Sequence, residues 1–250
     1  MKMLSIVYKN LVFFFSVLAN FSCSGSIIRK FKKRYPHYAH SDADICIEGF
    51  PRSGNTFLVA ALQHWNPGLK IDHHSHLASN IKVAVKNKIP AVVLVREPLE
   101  AVSSAMVWDG KLNASIGLYS YIHFYQSLSD CLPSVLLMEF SEFTQRPDIA
   151  VQKINQRFDL SLKYRRYDDL EREAIATYLA KHDSRSDRGL TSASLPNVEK
   201  EDLKIGCKEA INRSMLINKA ECFFNALVSR RTILHSDALD GLESYGGDQS

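Results

Sequence analysis

Short apolar runs alternate with segments of helical periodicity through the middle of the chain. Residues 44–49 (DICIEG), 91–96 (AVVLVR) and 134–140 (SVLLMEF) contain almost no interior polar positions. Such runs are typical of strands that a sheet buries on both faces. GLKID at 68–72 is predicted as a further short strand.

The segments between and after these strands have the length and composition of helices. Pro98 is predicted at a first helical position, where a missing N–H leaves no hydrogen bond unmade. Strands that alternate with helices predict a three-layer α/β fold: a central, mostly parallel sheet flanked by helices, with a helical C-terminal part. The predicted helices are 56–65, 77–88, 98–109, 117–128, 147–158, 168–182 and most of 199–229.

Composition indicates one globular domain with appendages. The 250 residues are 46% hydrophobic and 23% charged, enough to build a substantial core. We divide the chain into an N-terminal apolar and basic segment (1–40), a domain (41–235) and a polar, acidic tail (236–250) predicted to be disordered. The 31 basic and 27 acidic residues give a net charge of only +4, which suits a small anionic ligand better than nucleic acid.

The N-terminal segment permits two interpretations. Residues 11–23 are apolar but shorter than the roughly 20 residues of a membrane span, and Lys2 and Lys9 precede them as in a signal peptide. Five Lys or Arg residues follow in 27–38 with no acidic residue, which favours a helix packed on the domain or touching a membrane surface through residues 11–34. Five scattered cysteines without a C-x-x-C pair indicate a reducing compartment, so we expect a cytoplasmic protein with this peripheral contact.

The loop after the first predicted strand has the spacing of a phosphate loop. From Gly49 the chain reads G-x-x-x-x-G-N-T, with Asn55 where a nucleotide triphosphatase needs Lys. A strand, a glycine-containing loop and a helix N-terminus together direct backbone N–H groups at one point, which favours an anion.

Four residues of this loop strengthen the prediction of an anion site. Gly54 permits a backbone conformation closed to other residues, and Ser53 and Thr56 add hydroxyl donors. Arg52 offers a guanidinium that can make two hydrogen bonds to phosphate or sulfate oxygens.

A second candidate anion site follows the buried run AVVLV. Arg96 stands at its carboxyl end, and Ser104 lies eight residues later on the predicted helix, on the face directed back to that sheet edge. The alternative is an ordinary surface Arg and helix Ser. Two anion sites at one edge, where ligands of such folds bind, suggest a ligand with two phosphate-like groups.

The segments GFPRSGNTFL and VVLVREPLEAVSS resemble the two signature segments of the sulfotransferases that use 3′-phosphoadenosine-5′-phosphosulfate, particularly their bacterial branch. A weaker similarity covers 135–160, so that the resemblance spans about 44–160. The C-terminal Arg-Lys-Gly segment of that family is not clearly present; residues 184–197, with Arg185 or Arg188, are a weak candidate for its replacement.

The resemblance implies a fold like that of the P-loop nucleotide hydrolases, a cofactor site, a base and a reaction. The reaction is transfer of a sulfuryl group to an acceptor hydroxyl or amine without a metal, with the acceptor a small molecule, glycan or lipid. Arg52 and His76 are the implied catalytic residues, His76 as general base. His73, His74, Glu48 and Asp72 remain alternatives for the base. The implied cofactor-binding residues are Pro51, Arg52, Ser53, Gly54, Asn55, Thr56, Phe57, Arg96 and Ser104.

Two other functions remain open at this stage. A nucleotide kinase or triphosphatase with a degenerate phosphate loop predicts Mg²⁺-dependent ATP binding. A catalytically silent binding protein predicts that the basic segment 27–38 is the working part. The identity of the acceptor and the oligomeric state are not legible in the sequence.

Overall fold

Four parallel strands form a single sheet in the part of the protein described by the computed structural model, residues 41–182 and 198–229. Their order in the sheet is β2-β1-β3-β4. The register places Ile47 beside His73 of β2 and Val92 of β3, and Val92 in turn beside Leu136 of β4. The strands are β1 (Ile45–Gly49), β2 (Ile71–His73), β3 (Ala91–Val95) and β4 (Leu136–Glu139).

Helices connect successive strands and cover both faces of the sheet. Asn113 begins one of them by accepting a 2.9 Å hydrogen bond from the N–H of Ile116 on its side-chain oxygen. The helices are α1 (Asn55–Trp65), α2 (Ala78–Lys86), α3 (Pro98–Trp108), α4 (Ala114–Gln126), α5 (Phe140–Gln145), α6 (Pro147–Phe158), α7 (Asp169–His182), α8 (Val198–Asn212) and α9 (217–229), with a 3₁₀ helix at Ser129–Ser134.

Successive side chains of each strand point to opposite faces of the sheet and belong to two separate hydrophobic cores. Ile47 and Leu94 point into one core, which α1, α5, α6 and α7 cover. Cys46 and Val93 point into the other, which α2, α3, α4, α8 and α9 cover. The protein is therefore a three-layer α/β structure with a parallel central sheet and a helical C-terminal part, and this prediction is confirmed.

Several element boundaries differ from the sequence prediction for local reasons. Strand β2 is shorter than the predicted 68–72, because Gly68 has a left-handed φ of 91° and belongs to the preceding turn. The predicted helix 199–229 is two helices, α8 and α9, with a turn between them. Helix α5 is absent from the prediction, which ends a strand at Phe140; in the structure β4 ends at Glu139 and Phe140 begins α5.

Some predictions concern residues outside the described ranges. These are the N-terminal segment 1–40 with its membrane contact, the tail 236–250, and both Arg185 and Arg188. Among the described helices, none is both long enough and apolar enough to cross a membrane.

Candidate functional site

The carboxyl ends of the parallel strands bring four chain segments to one edge of the sheet. The β1–α1 loop (50–54) follows β1, and the β2–α2 connection (74–77) follows β2. Arg96 follows β3 directly, and Phe140 begins α5 directly after β4. Polar residues from distant parts of the sequence therefore meet at this edge.

Close contacts fix the backbone of the β1–α1 loop. Gly54 precedes α1 with a φ of 93°, and a Cβ there would lie 2.6 Å from the ring of Phe143. A Cβ on Gly49 would lie 2.7 Å from the carbonyl oxygen of Leu94. The loop also holds Arg52 at a φ of 70°, which is uncommon for a residue other than glycine. Both glycines are thus required by packing, and the expected special conformation of Gly54 is present.

Helix α1 begins at the loop without a side-chain cap from any described residue. The N–H of Phe57 bonds to the carbonyl oxygen of Gly54 at 3.0 Å, whereas the N–H groups of Asn55 and Thr56 make no backbone hydrogen bond within the described residues and, as at any helix N-terminus, point away from the helix body. The side chain of Asn55, at the first helical position, is only 3% exposed, yet neither its Nδ2 nor its Oδ1 has a hydrogen-bond partner in the described ranges. An uncompensated buried amide is costly, so this corner of the molecule has hydrogen-bonding capacity that the protein itself does not use.

Arg52, Arg96 and Ser104 converge above the loop. Arg52 Nε donates to Ser104 Oγ at 3.0 Å. Arg96 Nη1 donates to the carbonyl oxygen of Arg52 at 2.9 Å, and its guanidinium stacks 4.1 Å from the centre of the Phe140 ring. The two candidate anion sites of the sequence are therefore contiguous, because the loop arginine bonds directly to the helix serine.

Arg96 lies in a partly buried and charged setting. Burial lowers the pKa of its guanidinium, an effect that Glu100 opposes, but an arginine remains cationic at any relevant pH. Its Nη2 lies 3.5 Å from Glu100. Glu100 also forms ion pairs with Lys204, at 3.9 Å, and with Lys208.

The two lysines tie α8 to this corner of the site. Sequence analysis did not find them, although their spacing of four places both on one face of a helix. Only the docking of α8 against α3 brings that face to Glu100, and that docking is not legible in local sequence.

The hydroxyl residues of the loop have different surroundings. At the start of α1, the Oγ1 of Thr56 lies 2.9 Å from the Nε2 of His74. Ser53 is fully buried, and its Oγ lies 3.4 Å from the hydroxyl of Tyr125, which itself donates to Leu94 O. The Ser53 side chain therefore faces the core.

The remaining loop residues predicted to bind a cofactor flank this centre. Pro51 is half-buried in the loop. Phe57 lies in the first turn of α1, with its ring 6.4 Å from that of Tyr167 in an edge-to-face contact.

The candidate bases lie in the β2–α2 connection and on the strands beside it. His76 Nδ1 is 3.0 Å from the carbonyl oxygen of Gly49, which places His76 beside the start of the loop. Glu48 is fully buried, and burial raises the pKa of its carboxyl group. Asp72 is 2% exposed. His74 bonds to Thr56, and its other ring nitrogen contacts His73.

Within the described ranges, no three His, Cys, Asp or Glu side chains are arranged to hold a metal ion.

No protein-family model matches the chain, and no curated protein is similar to it in sequence. Among solved structures, mouse sulfotransferase SULT7A1 complexed with PAP is similar at a TM-score of 0.41 and 14% identity, over 80% of this chain and 87% of that one. The fold assignment therefore rests on the strand order and the two cores described above.

Proposed function

We propose that the protein is a sulfotransferase that moves a sulfuryl group from 3′-phosphoadenosine-5′-phosphosulfate to an acceptor hydroxyl or amine. The observation that carries this proposal is the convergence of Arg52, Arg96 and Ser104 at the N-terminus of α1. Two guanidinium groups, a hydroxyl and the N-terminus of α1 suit a ligand with two separated anionic ends.

The residues present fit that cofactor. Gly49 and Gly54 leave a backbone cradle that a Cβ at either position would disturb, and Asn55 holds an unused donor and acceptor beneath it. The loop and α1 would hold the phosphosulfate end, whereas Arg96 and Ser104 would hold the 3′-phosphate. The proposed cofactor-binding residues are Pro51, Arg52, Gly54, Asn55, Thr56, Phe57, Arg96 and Ser104, together with Ser53, which belongs to the loop but turns its hydroxyl toward Tyr125.

The cofactor supplies the chemistry of an activated sulfate: the new bond joins sulfur to the acceptor atom, and the bond from sulfur to the 5′-phosphate breaks. The protein contributes position and charge. Arg52 is placed to balance negative charge on the leaving phosphate, and Arg96 braces Arg52 through its carbonyl oxygen. Removing such a charge-stabilising donor typically costs about 3 kcal/mol in the barrier, a hundredfold or more in rate.

His76 is the proposed general base. Its Nδ1 faces the Gly49 carbonyl oxygen, which can only accept a hydrogen bond. A neutral His76 therefore carries its proton on Nδ1 and keeps a lone pair on Nε2, which is the atom that would take the proton of the acceptor.

Calorimetry with adenosine 3′,5′-bisphosphate tests the cofactor assignment. We expect saturable binding that a chelator does not change, and weaker binding of ATP with Mg²⁺. Arg52→Ala should weaken the binding, whereas Arg157→Ala should not, because Arg157 donates to Pro133 O before β4, at the opposite edge of the sheet. Preferential, Mg²⁺-dependent binding of ATP would support the kinase or triphosphatase alternative instead.

Transfer of labelled sulfate tests the reaction. Full-length protein is incubated with the labelled cofactor and panels of phenols, glycans and lipids, because nothing in the site identifies the acceptor. We expect transfer to one panel, and loss of it in Arg52→Ala and His76→Ala. Undiminished transfer in either variant would remove that residue from its proposed role.

A further inference from the structure

The carboxyl group of Glu48 is enclosed in the protein interior, one residue before the end of β1. The side chain is 0% exposed. By strand alternation it projects to the same side as Cys46 and Phe50, which belong to the core under α2, α3 and α4. A carboxyl group in such surroundings needs hydrogen-bonding partners, and the identity of those partners shows what it holds.

Within the described residues, Glu48 accepts hydrogen bonds from the β2–α2 connection and from the start of α2. Oε1 accepts from the backbone N–H of Ser75 at 2.8 Å and from Asn80 Nδ2 at 3.0 Å. Oε2 accepts from the backbone N–H of His76 at 3.0 Å. Because both oxygens act as acceptors, the arrangement is matched to a carboxylate. Glu48 therefore fastens this connection to β1.

The connection needs such a fastening. His74 and His76 have left-handed φ values of 59° and 53°, and residues other than glycine keep such conformations only where the surroundings enforce them. The two backbone bonds to Glu48 fall on Ser75 and His76, inside this strained stretch. Their consequence is that the His76 ring turns toward β1 and its Nδ1 meets the Gly49 carbonyl oxygen at 3.0 Å.

We propose that Glu48 is the positioning residue for His76: it fixes the loop so that Nδ1 stays protonated on the Gly49 carbonyl and Nε2 faces outward as the base. This inference rests on the proposed sulfuryl transfer. During that reaction the acceptor proton passes to His76 Nε2, the Nδ1 proton stays in place, and none passes to Glu48.

Nitrogen NMR of the ring reports the tautomer without any need for activity. Full-length protein is labelled with ¹⁵N-histidine, and the His76 signals are assigned by their loss in His76→Gln. At a pH where the ring is neutral, we expect the Nδ1-protonated form in the wild type. Glu48→Gln should shift His76 toward the Nε2-protonated form. The two carboxylate oxygens of Glu48 both accept hydrogen bonds from the connection, whereas the glutamine amide has only one oxygen that can accept them.

A matched control separates this effect from the loss of any buried carboxylate. Asp148 is 3% exposed and pairs with Arg146 at 2.9 Å near the start of α6, on the other face of the sheet. Asp148→Asn should leave the His76 tautomer unchanged. In the transfer assay, Glu48→Gln should lower kcat at least about tenfold, a part of the usual contribution of a general base, with the Kd of adenosine 3′,5′-bisphosphate unchanged.

The outcomes distinguish this inference from the proposed function. An Nε2-protonated His76 in the wild type, or an unchanged tautomer in Glu48→Gln, overturns the positioning role. A shifted tautomer with no sulfuryl transfer by the wild type supports the positioning role and refutes the transferase. If Glu48→Gln does not fold, Glu48→Asp serves instead, because a side chain shorter by one methylene cannot keep both backbone bonds and should shift the tautomer in the same direction.

Discussion

Gly54 allows a quantitative test of how the β1–α1 loop is held. Substitution with Ala should destabilise the protein for two separable reasons. The first is the left-handed backbone, with a φ of 93°. The second is steric: the new Cβ would lie 2.6 and 2.8 Å from two ring atoms of Phe143 and 3.0 Å from Phe140.

Gly68 provides a matched control for the backbone term. Its φ of 91° is nearly the same as that of Gly54, but an added Cβ would meet nothing within 4 Å. A left-handed non-glycine residue costs roughly 1–2 kcal/mol, so Gly68→Ala should lower the free energy of unfolding by about that amount. Overpacking adds typically about 1–3 kcal/mol, so Gly54→Ala should lower the free energy of unfolding by about 2–5 kcal/mol.

Urea denaturation of both variants measures these values. The midpoint should fall in both while the slope stays that of the wild type, because neither change alters the surface exposed on unfolding. The extra loss in Gly54→Ala should shrink when Phe143→Leu is introduced as well, since leucine lacks the two ring atoms in question. Equal losses at the two glycines, or no interaction between Gly54→Ala and Phe143→Leu, would refute the claim that the Phe143 ring holds the loop.

Further predictions concern other residues of the site. Arg96→Met should weaken adenosine 3′,5′-bisphosphate binding in calorimetry by tenfold or more, a loss of about 1.4 kcal/mol. The control Arg157→Met should leave the binding unchanged, although the Arg157 guanidinium also stacks on a Phe ring and donates to a carbonyl oxygen. Asn55→Leu should stabilise the free protein by about 1–2 kcal/mol against urea, because it removes an uncompensated buried amide, while weakening bisphosphate binding; lower stability would contradict the assigned burial cost. Burial raises the pKa of Glu48 above its ordinary 4.5, so the folded state binds more protons than the unfolded state as the pH rises from 4.5. Wild-type stability relative to Glu48→Gln should therefore fall with rising pH from 4.5 until the folded carboxyl has ionised, and a relative stability that rises over this window in urea titrations would show the opposite shift.

The fold class was legible in the sequence because it depends on periodicity. AVVLV and the apolar part of 134–140 are strands buried on both faces, and the segments between them have helical length, so a parallel sheet follows. The connectivity also places the ends of β1 and β3 at one edge. It therefore predicts that Arg52 and Arg96 come near each other, as they do through the bond from Arg96 Nη1 to Arg52 O.

Contacts between elements distant in sequence were not legible in this way. The family resemblance implied Glu48 only as an alternative base. The packing of α2 against β1 shows that its two oxygens are bonded to the β2–α2 connection. Likewise, no local signal gives the ion pairs of Lys204 and Lys208 with Glu100, because side-chain pairing across helices depends on how those helices dock.

The sequence by itself determined how strands and helices alternate along the chain and where the glycine-containing loop lies. It also determined that the polar residues emerge at the carboxyl ends of the strands. These follow from backbone geometry, which acts over a few residues. The tertiary structure decided that Ser53 faces Tyr125 in the core, that the Asn55 side chain finds no partner among the described residues, and that the His76 ring meets Gly49. Those contacts depend on which side chains fill the space between the helices and the sheet. Close packing selects one arrangement of these side chains only when all three layers are in place.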